Sequence, residues 1–404
     1  MTVNLPADIV HNMQITDLPV PDRNALEHSE DLCRRIWEVI KDHGGTISFA
    51  RYMEMALYEP GLGYYSSGTG KFGAAGDFVT APDLSPLFAQ CLARQCQQTL
   101  SLVQNPVILE CGPGSGSLAC ELLAALEQEQ CLPERYCLLE VSADLRARQQ
   151  QMMQCKIPHL LSSVTWLDSL PAREFSGIIL ANEVLDAMPV NRYLFTEGEP
   201  RELGVGLDGG KFIWTVMPPA REKLSGLMSL VQDAMPSWPA TYLTEINHNV
   251  APWIASVTER LRHGMVLLID YGYPRREYFH PQRSDGTLVC HYRHRVHHDP
   301  FLYPGLQDIT ASVDFTAVAE AALAAGLEVK GYTTQAHFLL GCGLAEILEE
   351  KQLTGVIERA ESGRQARILL LPGEMGERFK VMALTRNITE NLAGFRLADH
   401  RARL

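Results

Sequence analysis

The chain has 404 residues, room for two or three structural units at about 150 residues each, and its 46% hydrophobic and 21% charged residues suit a globular protein with a large core. Lys and Arg number 35 against 48 Asp and Glu, a formal net charge of -13. That balance argues against nucleic acid as a partner, because phosphate-backbone contacts need clustered cations. No apolar run approaches the ~18 residues of a membrane span. The longest, such as IILA at 178–181 and VLLI at 266–269, have the length of buried strands. The ten cysteines are scattered with no C-x-x-C pair, as expected of reduced thiols in a chain that needs no staples. The N-terminus has no cationic stretch before its first charge, Asp8, and resembles neither a secretory signal nor a transit peptide. The expected setting is cytoplasmic, in a bacterium, or an organelle after processing.

Residues 1–30 read as loosely ordered. From Ser29 the pattern is helical, with Leu32, Ile36, Val39 and Ile40 on one face and Gly44-Gly45 as its end. A second helix is predicted after Ser48, whose hydroxyl can cap it, ending at Pro60-Gly61. The Gly-rich stretch 61–86 that follows carries Tyr64, Tyr65, Phe72 and Phe78, aromatic residues that a mere linker would not need.

Residues 106–185 alternate strands with helices, which predicts an α/β fold with a parallel sheet covered on both faces. Strands are expected at 106–111, 135–140, 163–167 and 176–181, with helices at 116–128 and 142–153. Further strands fit at 265–272, 328–338 and 377–385. The stretches 186–262 and 273–315 are too long for tight connections and read as insertions. A homodimer through an apolar surface of 186–262 is compatible with the sequence.

The sharpest motif is VILECGPGSGSLACELL at 107–123, an apolar strand running through Gly112-Pro113-Gly114-Ser115-Gly116 into an amphipathic helix. Glycines there allow a tight turn and close approach of a ligand, and the helix start offers free N–H groups. No Lys follows, so a P-loop is excluded. A dinucleotide fingerprint needs Gly or Ala where Ser117 stands. The G-x-G-x-G spacing, with Glu110 two residues before the first glycine, resembles that of class I S-adenosyl-L-methionine methyltransferases. Glu140, at the end of the next strand, is placed to accept hydrogen bonds from two ribose hydroxyls of either NAD or S-adenosyl-L-methionine, or simply to open a helix. Asp168 after Trp166-Leu167 can meet an adenine or cap a helix. Asn182 and Glu183 end a further strand at the ligand-binding edge, and a carboxylate there can hold a guanidinium or amine. Glu183 and Asp186 can equally be acids drawn to a helix start. His291, His294, His297 and His298 crowd within HYRHRVHH, but the interleaved Arg293 and Arg295 would repel a metal, and no metal is expected. Asp308 and Asp314 can pair with those arginines.

Four blocks in order along the chain carry a closer likeness: ISFARYMEMALYEPGLGYYSS (47–67) with GDFVTAPDLSPLF (76–88), ECGPGSGSLACELL (110–123), NEVLDAMPV (182–190), and GTLVCHYRHRVHHDPFLYPGLQDITASVDFTAV (286–318). On these the chain resembles the MidA / complex I assembly factor 7 family of S-adenosyl-L-methionine-dependent methyltransferases. It departs from their pattern at Asp83, where Glu is commoner, and at Ser312, where many carry His. The resemblance implies a class I methyltransferase core, a Rossmann-like, mostly parallel seven-stranded sheet, spanning 101–185 and 263–404. It further implies an N-terminal helical segment with a Gly-rich covering loop over 1–100, and a helical insertion at 186–262 forming a lid or substrate platform. It implies S-adenosyl-L-methionine as methyl donor, S-adenosyl-L-homocysteine as product, and a protein substrate with an exposed arginine in a respiratory-complex-type subunit. Gly112, Gly114 and Gly116 would approach the methionine part, Glu110 its amino group, Glu140 the ribose and Asp168 the adenine. Asp77 and Thr80 would close over the donor, and Asn182, Glu183 and Asp186 would form the catalytic edge. From another class, a non-catalytic assembly chaperone that keeps the pocket as a relic is the alternative, and an NAD-linked oxidoreductase fails on Ser117.

Overall fold

The computed structural model describes residues 18–67, 80–196, 199–218, 221–235, 239–351 and 356–404. In chain order its strands are β1 Thr46–Ser48, β2 Val107–Cys111, β3 Arg135–Leu139, β4 Val164–Leu167, β5 Phe175–Asn182, β6 Asn191–Thr196, β7 Glu199–Asp208, β8 Lys211–Val216, β9 Thr241–Ile246, β10 Leu261–Tyr273, β11 Val289–Tyr292, β12 Arg295–His297, β13 Asp308–Thr310, β14 Val313–Asp314, β15 Glu328–Thr334 and β16 Phe379–Arg386.

The main sheet follows the path β15-β16-β10-β5-β2-β3-β4, with β14 added at the end of β10. From β10 to β4 every pairing is parallel, and β16 runs antiparallel between β10 and β15. This is the seven-stranded, mostly parallel α/β sheet that the sequence predicts. Its apolar runs exist because each central strand buries both faces. In β2, Ile108 packs beneath helices Pro86–Leu100 and Ser117–Gln128, while Val107 and Leu109 face helices Val250–Thr258 and Phe315–Ala324 on the other side. Each fully buried Leu or Ile of these layers contributes about 1.5–3 kcal/mol relative to exposure. The chain order reverses between β2 and β5, so their C-terminal ends open a crevice at the switch point.

The N-terminal helix begins earlier than the periodicity suggests, at Arg23, because the Asp22 carboxylate accepts the Ala25 N–H at 2.9 Å and caps it. The second helix, Phe49–Tyr58, is capped by Ser48 as predicted. The segment 186–262 departs from expectation. It is not chiefly helical: β6 to β9 form an antiparallel sheet that β1 completes, in the path β1-β7-β6-β9 with β8 on β7. The two N-terminal helices pack on it through Ile36, Phe49 and Met53 against Leu203, Val205 and Trp214. Helix Arg221–Ala234 is its one long helical part among the described residues. The segment 273–315 likewise holds a small sheet, β12-β11-β13.

A buried ion pair ties the second sheet to the chain entering the third. Arg192 Nε donates to Glu245 Oε1 at 3.0 Å, with side-chain exposures of 4% and 0%. The same carboxylate accepts the Thr287 N–H at 2.6 Å and the Thr287 hydroxyl at 3.1 Å. Burial holds the Arg192 pKa below its ordinary value, against the raising effect of Glu245. Truncating one partner strands a buried charge, a loss of about 3–5 kcal/mol, whereas replacing both with apolar residues avoids most of it. Denaturant unfolding is therefore expected to show Glu245→Leu strongly destabilised and Arg192→Leu/Glu245→Leu less so than the sum of the single variants.

Candidate active site

The crevice at the switch point is a cavity of about 910 Å³. Its first wall is the glycine turn after β2. Gly112 has φ +64 and its missing Cβ would lie 3.0 Å from Val184 Cγ2, so a side chain there meets both strain and a neighbour. Gly116, at φ +84, starts helix Ser117–Gln128 and lies so close to Gln149 that a Cβ would be 3.1 Å from its Cγ. Gly112 and Gly114 line the cavity, whereas Gly116 turns toward the protein. Asp83 fastens the turn to the preceding segment: it accepts from Thr80 Oγ1 and from Ser115 Oγ, both at 2.9 Å. Thr80 and Asp83 both line the cavity, and Asp77 lies outside the described residues.

Two acids at strand ends face this half. Glu110, buried, accepts the Tyr136 hydroxyl at 2.7 Å, and burial raises its carboxyl to about 7. Glu140 accepts the Ser142 N–H at 2.8 Å and Gln149 Nε2 at 3.2 Å. Burial raises its pKa, opposed by these donors and by Arg146. Asp168 is not brought in: its side chain is 86% exposed, paired with Arg146, and does not line the cavity. Trp166 instead donates its indole N–H to Gln149 Oε1 at 2.9 Å.

The other half is acidic. β5 ends at Asn182, and Glu183 follows with φ +54, a left-handed backbone uncommon for a residue with a Cβ and typical of strain stored at working sites. What holds it there is β10. Ile269 O accepts the Glu183 N–H at 2.9 Å, and Asp270 Oδ2 accepts the N–H groups of Leu185 and Asp186 at 2.9 and 3.2 Å. Asn182 Nδ2 donates to Glu183 Oε1 at 3.1 Å. Asn182 Oδ1 and Asp186 Oδ1 are buried acceptors that complete no well-formed hydrogen bond among the described residues.

Burial, then the charge of Asp186, raises the Glu183 carboxyl to about 8, with Asn182 pulling the other way and Asp83 and Asp308 adding to the rise. Asp186 is raised to about 6 by burial, against the Tyr271 hydroxyl and backbone donors. Asp270 is pushed well up by burial and by Asp186 and Glu183. Asp308, from β13, accepts the Tyr65 hydroxyl at 2.9 Å, and Tyr65 stacks on Tyr58 with ring centres 5.5 Å apart. Tyr58 donates to Ala187 O at 2.9 Å. All of these acids except Asp270 line the cavity, as do both tyrosines.

Asn182, Glu183 and Asp186 are thus brought together with Glu110, Glu140, Gly112 and Gly114 around one cavity. Sequence reasoning missed Asp270, Tyr271, Tyr58, Gln149 and the cavity role of Asp308, while Tyr65 stands out in the sequence only as an aromatic of the Gly-rich stretch. Asp270 was open to detection, since it follows the apolar run VLLI as Glu110 follows VIL and Glu140 follows CLL. Asp314 pairs with Arg275 at 3.1 Å and caps the helix after β14, so it serves the fold. Of the histidine run, His291 and His298 line the cavity, and His298 Nδ1 is 3.1 Å from Leu288 O.

The cavity fits an elongated donor with a polar nucleoside and an amino-acid end. It offers backbone at a glycine turn where a Cβ would intrude, a carboxylate at each of two strand ends, and an apolar flank of Leu139, Val141 and Leu145. The family model described as "Putative S-adenosyl-L-methionine-dependent methyltransferase" matches residues 91–333, more than half of the chain. A crystal structure from Burkholderia thailandensis bound to S-adenosyl-homocysteine is 43% identical and superposes with a TM-score of 0.91, covering 96% of this chain and 100% of that one. The mitochondrial protein arginine methyltransferase NDUFAF7 of Danio rerio is 28% identical over 378 residues, 84% of this chain and 83% of that protein. Its Drosophila melanogaster homolog is 27% identical over 372 residues, 84% and 82%. The chain belongs to this family of S-adenosyl-L-methionine-dependent methyltransferases.

Proposed function

We propose that this methyltransferase acts on an arginine side chain of a protein, with the acidic half of the cavity as the guanidinium site. The observation that carries the reading is the set of carboxylates, buried Asp186 and Asp308 with half-buried Glu183, facing the same cavity as the glycine turn and Glu140. S-adenosyl-L-methionine supplies an electrophilic methyl group. In this reading Glu140 accepts the ribose hydroxyls, Glu110 faces the amino group, Gly112 and Gly114 let backbone approach, and Thr80 with Asp77 covers the donor. Asp168, exposed and ion-paired, has no part in it.

Glu183 and Asp186 hold the guanidinium by charge-assisted hydrogen bonds, and Asp186 Oδ1, which completes no well-formed hydrogen bond among the described residues, can accept one. Holding the nitrogen in one place and keeping water out supplies most of the rate. The attacking nitrogen gives up a proton to a carboxylate of the acidic half as the methyl group arrives, and the carboxylates stabilise the positive charge that remains. The stacked Tyr58 and Tyr65 form the aromatic wall along which a flat guanidinium can lie. The relatives' names as protein arginine methyltransferases support the choice of arginine, and the net charge of -13 suits a basic partner surface. No helix among the described residues is long and apolar enough to cross a membrane, and a cytoplasmic setting is part of the proposal.

Labelled methyl transfer, followed by hydrolysis and separation of methylated amino acids, tests the substrate. Methylarginine is the expected product. Glu183→Gln is expected to keep donor binding and lose transfer by roughly 100- to 1,000-fold, while Glu140→Ala weakens donor binding itself. Methylated lysine or glutamine, or a Glu183→Gln variant as active as the parent, contradicts the reading.

The carboxylates also set a pH dependence. Glu183 and Asp186 titrate near 8 and 6 in the fold, against 4.5 and 3.8 as ordinary values. Between those limits the folded state binds more protons than the unfolded chain, so stability falls as pH rises through this window. Without substrate, Tm is expected to drop from about pH 5 to about pH 8, and less steeply in Glu183→Gln. A profile of equal slope in the two proteins excludes Glu183 as its source.

A further inference from the structure

The helix Ala143–Lys156 carries the polar run RARQQQMMQ, yet its buried stripe is Leu145, Gln149 and Met153. Gln149 is fully buried at the centre of that stripe, where an apolar side chain would cost less, since a buried amide is tolerated only when its groups are bonded. They are bonded in a fixed sense. The Trp166 indole, which can only donate, gives its N–H to Oε1 at 2.9 Å, so Nε2 must face the opposite side. There it donates to Gly114 O at 2.9 Å and to Glu140 Oε2 at 3.2 Å. Gly116 lets this side chain come close, its absent Cβ being 3.1 Å from Gln149 Cγ.

We propose that Gln149, aimed by Trp166, is the positioning residue of the donor site: its amide ties the glycine turn to the Glu140 carboxylate and holds both in one geometry. This rests on the reading that Glu140 takes the ribose of the donor. An apolar residue of the same size would fill the stripe as well. The amide oxygen satisfies Trp166, and what the amide NH2 adds goes to two groups, one on each wall of the donor half. It also donates to the charged form of Glu140, as do the Ser142 and Val141 N–H groups, with Arg146 nearby. Among the described residues the other titratable neighbours are the Tyr58 hydroxyl on the facing wall and Asp168, engaged with Arg146. Losing the amide therefore raises the pH at which Glu140 takes up a proton and ceases to accept two hydroxyls.

The test is calorimetric titration with S-adenosyl-L-methionine between about pH 5 and about pH 8, with Tm measured on each variant. Gln149→Met is expected to bind about 10- to 100-fold more weakly at neutral pH, the loss of one hydrogen bond to a charged group, and to lose affinity at a higher pH than the parent. Trp166→Phe frees the amide to turn and shifts the profile the same way by less, which decides the matter if Gln149→Met does not fold. Glu110 titrates in all the proteins alike and drops out of the comparison. If Glu140→Ala binds weakly but Gln149→Met binds like the parent, or is weaker at every pH without a shifted profile, the positioning role is overturned. If Glu140→Ala itself binds like the parent, the ribose assignment beneath the proposal has failed.

Discussion

Asp270 is a buried carboxylate whose hydrogen bonds shape the acidic half of the cavity. One oxygen takes the N–H groups of Leu185 and Asp186, and the other takes the N–H of Tyr271. With Ile269 O accepting the Glu183 N–H, these bonds fix a turn that ordinary strand-to-helix geometry would not adopt, and Glu183 is held at φ +54 by it. The strain is affordable because β5 and β10 are locked in continuous parallel register over seven residue pairs, from His263 with Ser176 to Ile269 with Asn182. The site's precision thus comes from the middle of the sheet, not from its loops.

The cavity divides into two halves with different physics. On the side of β2 and β3, carboxylates are surrounded by donors: Tyr136 for Glu110, and Ser142 and Gln149 for Glu140. Such acids are prepared to accept hydrogen bonds from a neutral, polar ligand. On the side of β5, β10 and β13 the acids stand close enough to raise one another on top of burial: Asp186 lifts Glu183, and both lift Asp270. A cluster of that kind is incomplete until a cation enters it. The smaller elements serve this division, since β11 and β13 bring His291, Asp308 and Thr310 to the acidic side while helix Phe49–Tyr58 and the turn after it deliver Tyr58 and Tyr65.

Much of this was legible in the sequence for a physical reason. Strands buried on both faces leave unbroken apolar runs, so β2, β3, β5, β10 and β16 were found close to their observed ends, and the glycine turn announced itself between strand and helix. The second sheet was not legible. Its strand β7 carries Arg201, Glu202, Gly204 and Gly206, which blur the alternation, and its edge partner β1 lies over 150 residues earlier in the chain. Gln149 was hidden because a buried glutamine looks like a solvent-facing one until its partners are known. Asp308 was read with the nearby arginines, whereas Tyr65, distant in sequence, supplies the hydroxyl it accepts.

The central claim is that a guanidinium completes the acidic half by drawing protons off raised carboxyls. Calorimetric titration of acetyl-arginine-amide, and of its citrulline counterpart, into the protein saturated with S-adenosyl-L-homocysteine tests it most directly, run near pH 7 in buffers of different ionisation enthalpy. Glu183, near 8 without a cation, should release a proton on binding, so the heat of the arginine titration should depend on the buffer and citrulline should bind far more weakly. Equal binding of both compounds, or arginine binding with no proton released, would contradict the account.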